Sequence, residues 1–330
     1  MRPYDQVPAV SVVIPTYQRC ASVLRALQAL SLQTLPAREF EVIVSIDGSR
    51  DRTSELVAQF PAPYLLRTLW QPNSGRASAC NSGILASCGK LTVLLDDDME
   101  PLPGCLQAHC RAHESARPRA VMGAVPVRLD EHSPLTARFI RDRFEQHSMK
   151  LAQPDYSIGF RDFYSGNLSV PRNVLIEVGL FDPAFLAYGN EDGELALRLI
   201  RAGVELGYSK DAAATQHYEK EFEALARDNA AKGRTAVLCL QRHPETIGTL
   251  QQRLYQHGSW KWWTIRRLLL TVTAAFQSTP ALVIRFIHWQ ERRRSPQLHR
   301  YYRLALDYFF WLGAGPELKL WRRRQGSGWW

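Results

Sequence analysis

Several familiar signatures are missing from this chain. Its six cysteines, Cys20, Cys80, Cys88, Cys105, Cys110 and Cys239, form no CxxC pair and no zinc-type spacing. Neither a disulfide framework nor a zinc site therefore organises the chain, and reduced thiols point to a reducing compartment. No G-x-G-x-x-G and no G-x-x-x-x-G-K-[ST] occurs, which excludes the dinucleotide fingerprint and the Walker loop. No apolar run reaches the roughly 18 residues of a spanning helix. The nearest, Leu268–Phe276, breaks at Gln277-Ser278-Thr279-Pro280. The opening Met1-Arg2-Pro3-Tyr4-Asp5 has no apolar core of the secretory type, so no secretory leader is expected.

What is present describes a globular chain of uneven charge. With 330 residues, 45% hydrophobic and 22% charged, it can form one large domain plus an appendage. Its formal charge of +9 is concentrated at one end. Residues 1–220 hold 23 Lys and Arg against 25 Asp and Glu, whereas residues 221–330 hold 18 against 7 and eight of the nine tryptophans. We therefore expect a catalytic domain over 1–220, with halves at about 9–103 and 104–220, and a basic, Trp-rich helical region over 221–330.

The first part alternates strand and helix. Val10-Ser11-Val12-Val13-Ile14-Pro15 and Phe40-Glu41-Val42-Ile43-Val44-Ser45-Ile46 are buried-strand patterns, as are Tyr64–Leu69 and Leu91–Leu95. Helical segments lie between them at Ser22–Leu32, Thr53–Phe60 (N-capped by Asp51 or Thr53) and Ala77–Ser87. This alternation with short loops predicts an α/β fold with a mostly parallel sheet and right-handed crossovers. Ligands of such sheets bind beyond the carboxyl ends of the strands, which here are Pro15–Arg19, Asp47–Ser49 and Asp96-Asp97-Asp98. The three adjacent carboxylates repel one another unless a cation sits among them, and their hard oxygens suit Mg²⁺ or Mn²⁺. Taken alone, the cluster also reads as a solvated acidic turn, and Tyr17 as a core aromatic. Together the three ends offer an aromatic face, an acceptor for a ring N–H, an arginine for a phosphate and acids for a phosphate-bound metal.

In combination, Val12-Val13-Ile14-Pro15-Thr16-Tyr17, Ile46-Asp47-Gly48-Ser49, Asn73-x-Gly75-Arg76-x4-Asn81-x-Gly83 and Asp96-Asp97-Asp98 resemble the GT-A-fold glycosyltransferases, specifically the inverting family 2. The resemblance covers about residues 9–220. It implies a Rossmann-like GT-A fold, with Pro15, Thr16, Tyr17, Arg19 and Asp47 around the uracil of a UDP-sugar and Arg76 near its diphosphate. Asp96 and Asp97 would touch the donor, and Asp96 and Asp98 would bind Mn²⁺ or Mg²⁺. Ile46 departs from the aspartate that the family often has before Asp47; the retained Asp47 is the position given to the base.

Phe163-Tyr164-Ser165-Gly166-Asn167-Leu168-Ser169-Val170-Pro171 predicts a short strand entered through a small-residue turn, where glycine lets backbone approach a ligand. A helix follows over about Glu191 to Ala202, with Asn190 as N-cap and Gly203 as its stop. Its first-turn acids, Glu191, Asp192 and Glu194, complement the helix dipole. The order of acid cluster, Ser-Gly-Asn and Glu-Asp resembles the family's acceptor side. That resemblance implies Asp192 as the catalytic base, Glu191 as an acceptor contact or as the orienter of the base, and Gly166 and Asn167 as acceptor-binding. His217 can serve as a third metal ligand beside aspartate, or be an ordinary core or surface imidazole. Residues 104–160 are expected to shape the acceptor side.

Beyond residue 220, Phe222–Leu240 and Thr246–Tyr255 read as helices. Trp260-Lys261-Trp262-Trp263 with Arg266-Arg267, and the aromatic stripe of Tyr301–Leu312 between Arg292-Arg293-Arg294 and Arg322-Arg323-Arg324, have the makeup of interfacial helices. An anionic membrane surface met through 255–330 is therefore expected as a partner. Nucleic acid ranks below it, since no RNP, helix-turn-helix or zinc pattern accompanies the charge. A helical appendage with a solvated basic face is the plainer reading. The expected function is inverting transfer of a sugar from a nucleotide-diphosphate donor to a hydroxyl of a cell-envelope or lipid-linked saccharide, at the cytoplasmic face of a membrane. A sugar-phosphate nucleotidyltransferase would want a glycine-rich basic loop after the first strand, which Pro15-Thr16-Tyr17-Gln18 is not. A non-catalytic binding module of the same shape is the other alternative.

Overall fold

The computed structural model describes residues 7–115, 117–248 and 260–325. The chain forms two compact units. The first comprises Met1–Ser133, Ile140–Leu186 and Glu191–Tyr218, and the second Pro134–Phe139, Ala187–Asn190 and Glu219–Trp330.

The first unit is built on a seven-stranded mixed sheet. The strands are β1 (Val10–Thr16), β2 (Phe40–Asp47), β3 (Leu65–Gln71), β4 (Leu91–Leu95), β6 (Arg119–Gly123), β7 (Asn167–Pro171) and β8 (Glu205–Ser209). Their order is β3-β2-β1-β4-β7-β6-β8. β5 (Met99–Pro101) and β9 (Ala214–Gln216) form a separate antiparallel pair. β1, β2 and β4 are buried along their whole length because both sheet faces are covered, which is why they read as unbroken apolar runs. One face packs Val12, Ile14, Val42, Val44, Val93 and Leu95 with α1 (Cys20–Leu30); the other packs Val13, Ile43 and Leu94 with α3 (Gly75–Ala86). The remaining helices of this half are α2 (Thr53–Ala58), α4 (Cys105–Ala112), α5 (Leu135–Leu151, whose first turn belongs to the second unit), α6 (Arg172–Glu177) and α7 (Glu191–Arg201).

Two features depart from the periodicity reading. β7 runs antiparallel to both β4 and β6, and Phe163–Gly166 is loop, so the expected strand begins only at Asn167. Burial of a charge inside β2 is the other. Glu41 is fully buried, its carboxylate accepting from the Ser11 hydroxyl (2.7 Å), the Cys88 amide (2.6 Å) and Arg67 (3.2 Å). A buried charge is tolerated where it is paired and hydrogen-bonded in this way.

Beneath β7 lies a polar network with no sequence signature. The Asn167 amide donates to the carbonyls of Ala212 (2.8 Å) and Ala124 (3.2 Å), which leaves its oxygen to accept from His109 Nε2 at 2.9 Å. With that proton on Nε2, His109 Nδ1 accepts from the Ser169 hydroxyl (2.8 Å), and His113 Nε2 donates to the same oxygen (2.8 Å). Burial pushes both imidazoles down to about 4.

The described part of the second unit is helical: α8 (Phe222–Arg242), α9 (Trp260–Ala275), α10 (Thr279–Arg292) and α11 (Leu298–Gln325). Most of the Thr246–Tyr255 helix expected from sequence lies outside the described residues. α8 and α11 pack closely enough that a Cβ on Gly233 would meet the Phe310 carbonyl oxygen at 2.0 Å. A buried ion pair joins α9 to α11: Arg266 Nη1 and Trp262 Nε1 both donate to Asp307 Oδ2, at 2.9 and 3.1 Å.

The histidine network gives the fold a pH dependence of fixed sign. An unfolded imidazole protonates near 6.5, the folded ones only near 4, so between these values the unfolded state binds more protons. This contribution is complete above about pH 6.5 and is lost as pH falls toward 4; for His109 the full loss is about 3 kcal/mol. Thermal unfolding followed from neutral pH to about 4.5 should show the melting temperature fall, with a shallower fall in His109→Gln. An equal fall in both proteins would remove the network as its source.

Candidate active site

The strand order reverses at β1: β2 and β3 extend to one side and β4 to the other. Crevices form at such switch points beyond the strand carboxyl ends. Here the ladder between β1 and β4 covers only Val10–Val13, so the ends Ile14–Thr16 and Leu95 onward leave that pairing and diverge.

Loops from four strand ends meet at the crevice. After β1, the Thr16 hydroxyl donates to Asp97 Oδ2 (2.7 Å), and Arg19 Nη1 reaches Asp97 Oδ1 (3.1 Å) and Asp98 Oδ2 (3.4 Å). Gln18, at φ 56°, donates its amide to Ser49 Oγ (2.8 Å), tying this loop to the one after β2. Pro15 lies opposite Ser45, one residue before the ladder with β2 ends at Thr16 and Ile46, and Tyr17 stands half-exposed beyond it.

Asp47 is placed differently from a free base-binding carboxylate. It is buried, its Oδ1 accepts from Gln71 Nε2 and the Ser74 amide (both 2.8 Å), and its Oδ2 accepts from the Gly75 amide at 2.9 Å. It satisfies the first amides of α3, the task of a capping acid. Gly48 follows at φ +75°, where an added Cβ would meet the Asn73 amide nitrogen at 2.6 Å. Most of the Asn73-x-Gly75-Arg76-x4-Asn81-x-Gly83 motif serves the same scaffolding. Asn73 donates to the Asp47 carbonyl, Asn81 makes a two-way amide bond with the Phe181 backbone, and Gly83 lets α3 press on Val13 of β1.

Arg76 is the motif residue that points into the site. Its Nη2 and Nε hold Asp96 Oδ1 at 2.7 and 3.1 Å, while Nη1 lies 3.4 Å from Asp192 Oδ1 and 3.8 Å from Glu191 Oε1. Burial works against its charge, yet the carboxylates of Asp96, Asp192 and Glu191 keep the guanidinium protonated well above its ordinary range. Asp192 is further oriented by Ser165, whose hydroxyl and amide both donate to its carboxylate. Of the two acids opening α7, Asp192 has 26% of its side chain exposed and Glu191 only 3%, so Asp192 is the one a solvent-borne hydroxyl can reach.

The acidic turn is held on three sides. Asp96 donates its amide to the Gly166 carbonyl (2.9 Å), and a Cβ on Gly166 would meet Asp96 Oδ2 at 2.7 Å. β5 pairs with β9, so that His217 donates its amide to the Asp98 carbonyl (2.9 Å) and Gln216 Nε2 reaches Asp98 Oδ2 (3.3 Å). Burial pushes the Asp97 carboxyl up to about 7, against the pull of Arg19.

Some expectations are corrected by this geometry. Asn167, expected on the acceptor side, lies under the site instead, its side chain fully buried in the network with His109. Asn190 does not cap α7; at φ 66° it donates instead to the Lys232 carbonyl and Thr235 hydroxyl of α8. The three candidate metal ligands do not converge, because Asp96 turns to Arg76, Asp98 to Arg19 and Gln216, and His217 Nε2 to Glu100 at 2.6 Å. Among the described residues, no three His, Cys, Asp or Glu side chains form a ready metal cage. Ser165, Glu100 and Gln216 were missed, since their partners lie 27, 117 and 118 residues away in sequence.

Comparison with known proteins identifies the family and the fold. The family model described as glycosyl transferase family 2 matches residues 11–178, and one described as the N-terminal domain of galactosyltransferase matches 145–222. Validoxylamine A glucosyltransferase of Streptomyces hygroscopicus subsp. jinggangensis is 26% identical, over 92% of this chain and 73% of its own. The fold is similar to that of the mannosyltransferase PcManGT of Pyrobaculum calidifontis in complex with GDP-Man and Mn²⁺ (TM-score 0.59, 18% identity, 94% of this chain and 88% of that one). It is also similar to S. aureus TarS 1-349 in complex with UDP-GlcNAc (TM-score 0.50, 16% identity, 96% and 92%). The chain belongs to glycosyl transferase family 2; it has the GT-A fold and is a sugar-transferring enzyme.

The close approach of Gly166 to Asp96 yields a test. In Gly166→Ala the new methyl must push Asp96 from Arg76, and we expect transfer to fall by about tenfold or more, a loss of about 1.4 kcal/mol in transition-state binding, with little change in melting temperature. Steady-state kinetics beside a thermal melt reads both; wild-type kinetics would show that Asp96 is free to shift without consequence.

Proposed function

We propose that the first unit moves a sugar from a nucleotide-diphosphate donor, UDP-linked, to an acceptor hydroxyl in a single displacement that inverts the anomeric centre. The observation that carries this is the bridge made by Arg76, one guanidinium touching both Asp96 of the acidic turn and Asp192 of α7. It links the end where a diphosphate would lie to the acid that can take a proton. PcManGT in complex with GDP-Man and TarS in complex with UDP-GlcNAc support a nucleotide-diphosphate sugar as donor, and the resemblance of the Thr16 and Tyr17 positions to a uridine site favours the UDP-linked form.

The residues fit a divalent cation of the Mn²⁺ or Mg²⁺ type. Asp96 and Asp98 offer hard oxygens, and such cations take one or two carboxylates and complete their shell with substrate phosphates and water rather than an all-protein cage. Bound there, the cation would supply charge to the departing diphosphate. His217 is left to Glu100 and is not counted as a ligand. Arg76, Arg19 and the turn residues orient the donor. Asp192, steadied by Ser165, accepts the acceptor's hydroxyl proton as that oxygen attacks from the side opposite the nucleotide. A single displacement with Asp192 as base needs no covalent enzyme intermediate, and on this reading the anomeric centre inverts. The acceptor we assign is a hydroxyl of a cell-envelope or lipid-linked saccharide, met on the cytoplasmic side of a membrane.

Two measurements test this reading. A thermal-shift panel of UDP, GDP, dTDP and CDP should show stabilisation by UDP that requires Mn²⁺ or Mg²⁺, since a ligand that binds only the native state raises its melting temperature; the same shift with all four nucleotides would remove the uridine assignment. Asp192→Asn should keep that shift and lose transfer by about two to four orders of magnitude. Wild-type turnover in that variant would place the base elsewhere.

A further inference from the structure

Two helices of the second unit bury polar groups beside a single apolar one each and leave several large apolar side chains exposed. The inward stripe of α9 is Trp262, Arg266 and Thr273, which engage Asp307 and Tyr308 of α11. Its outward side carries Trp260 at 74% exposure, Leu268 at 61% and Ile265 at 47%. In α10 the buried positions are Thr279, Ile287 and Gln290, while Leu282, Phe286 and Trp289 stand 43–56% exposed. Their spacing of i, i+4 and i+7 places these three on one stripe. A soluble helix normally does the reverse.

The charge on this surface has one sign. α9 contains no acidic residue, and the single acid of α10, Glu291, is engaged by the Tyr302 hydroxyl and His288. The exposed cations are Lys261, Arg267, Arg285, Arg292 and Arg293. Two of them lie over tryptophan rings, Arg267 on Trp263 at 5.1 Å and Arg293 on Trp289 at 4.2 Å. Among the described residues no helix is long and apolar enough to cross a membrane.

We propose that α9 and α10 form a docking face for an anionic lipid surface, lying in its plane. Leu268, Leu282, Phe286 and the tryptophans would enter at the acyl boundary, and the arginines would meet lipid phosphates. Charge complementarity selects this occupant over a second copy of the chain, because self-pairing would set arginine against arginine with no acid to offset it. The aliphatic members of the face, Leu268 and Leu282, have no counterpart in a polynucleotide backbone.

The test uses the full chain and flotation with phosphatidylcholine vesicles, with and without phosphatidylglycerol, at low and high salt. We expect flotation only with the anionic vesicles, weakened by salt. It should be lost by about tenfold or more in Phe286→Ser/Trp289→Ser, where apolar area is removed, and in Arg285→Glu/Arg292→Glu, where charge is reversed. Both variants change exposed groups, and circular dichroism melts establish that they are folded. No flotation of the parent chain, or flotation that both folded variants retain in full, would overturn the proposal. So would a parent dimer that Phe286→Ser/Trp289→Ser converts to monomer, or preferential retention by an oligonucleotide. Flotation needs neither donor nor acceptor, so its failure would leave the transfer reading standing, and loss of transfer would leave this one standing.

Discussion

The first unit depends on keeping carboxylates together that would otherwise drive apart. Asp96, Asp97, Asp98, Glu191 and Asp192 converge on one crevice, and two like charges about 4 Å apart repel by about 4 kcal/mol where the effective dielectric is near 20. Arg76 relieves this on one side by holding Asp96, Asp192 and Glu191, and Arg19 on the other by holding Asp97 and Asp98. The arrangement is paid for in desolvation, visible in the raised Asp97 carboxyl. It leaves a site whose acids are held together chiefly by two arginine side chains, with Thr16, Ser165 and Gln216 as further donors.

Placing Arg76 is the work of the residues around it. Asp47 fixes the start of α3 by accepting its first amides, Gly83 lets that helix lie against β1, and Asn81 pins it to the Phe181 backbone. Gly48 provides the left-handed turn that brings the Asn73 segment against the end of β2. A run of residues that resembles a binding motif thus divides into one side chain that reaches the site and several that aim it. Much the same holds for Ser165-Gly166-Asn167: Ser165 orients Asp192, Gly166 lies against Asp96, and Asn167 faces the interior.

How far the sequence could be read follows from this division. β1, β2 and β4 were legible because burial on both faces leaves uninterrupted apolar runs, and their ends located the crevice. β6 and β5 were not, since Arg119–Gly123 opens on a charge and holds only three apolar residues in a row, Met99–Pro101 is three residues long, and both are held by partners β7, β8 and β9 far along the chain. The antiparallel direction of β7 was invisible for the same reason. Residue type pointed to Arg76, Asp96 and Asp192, which the fold brings together at the crevice, but not to which of the neighbouring acids would be buried. Glu191 and Asp192 are adjacent in sequence and differ in exposure because successive helix positions point about 100° apart. His217 and Asn167 show the converse limit: each has suitable chemistry, and each is claimed by a partner that only the fold brings near.

The second unit follows a different rule. A helix rich in tryptophan and arginine would be expected to bury the rings and show the charge, and α9 does so with neither consistently: Trp262 is inside with Arg266, while Trp260 and Trp263 are outside with Arg267. The buried pair is possible because Asp307 supplies both a counter-charge and an acceptor for the indole N–H, without which Arg266 would be an uncompensated charge costing about 3–5 kcal/mol. That inward use of a polar cluster frees the remaining aromatic and aliphatic groups from core duty. Composition alone could not distinguish the two faces, because both draw on the same residue types. The distinction lies in one aspartate on α11, 41 residues beyond the arginine it holds.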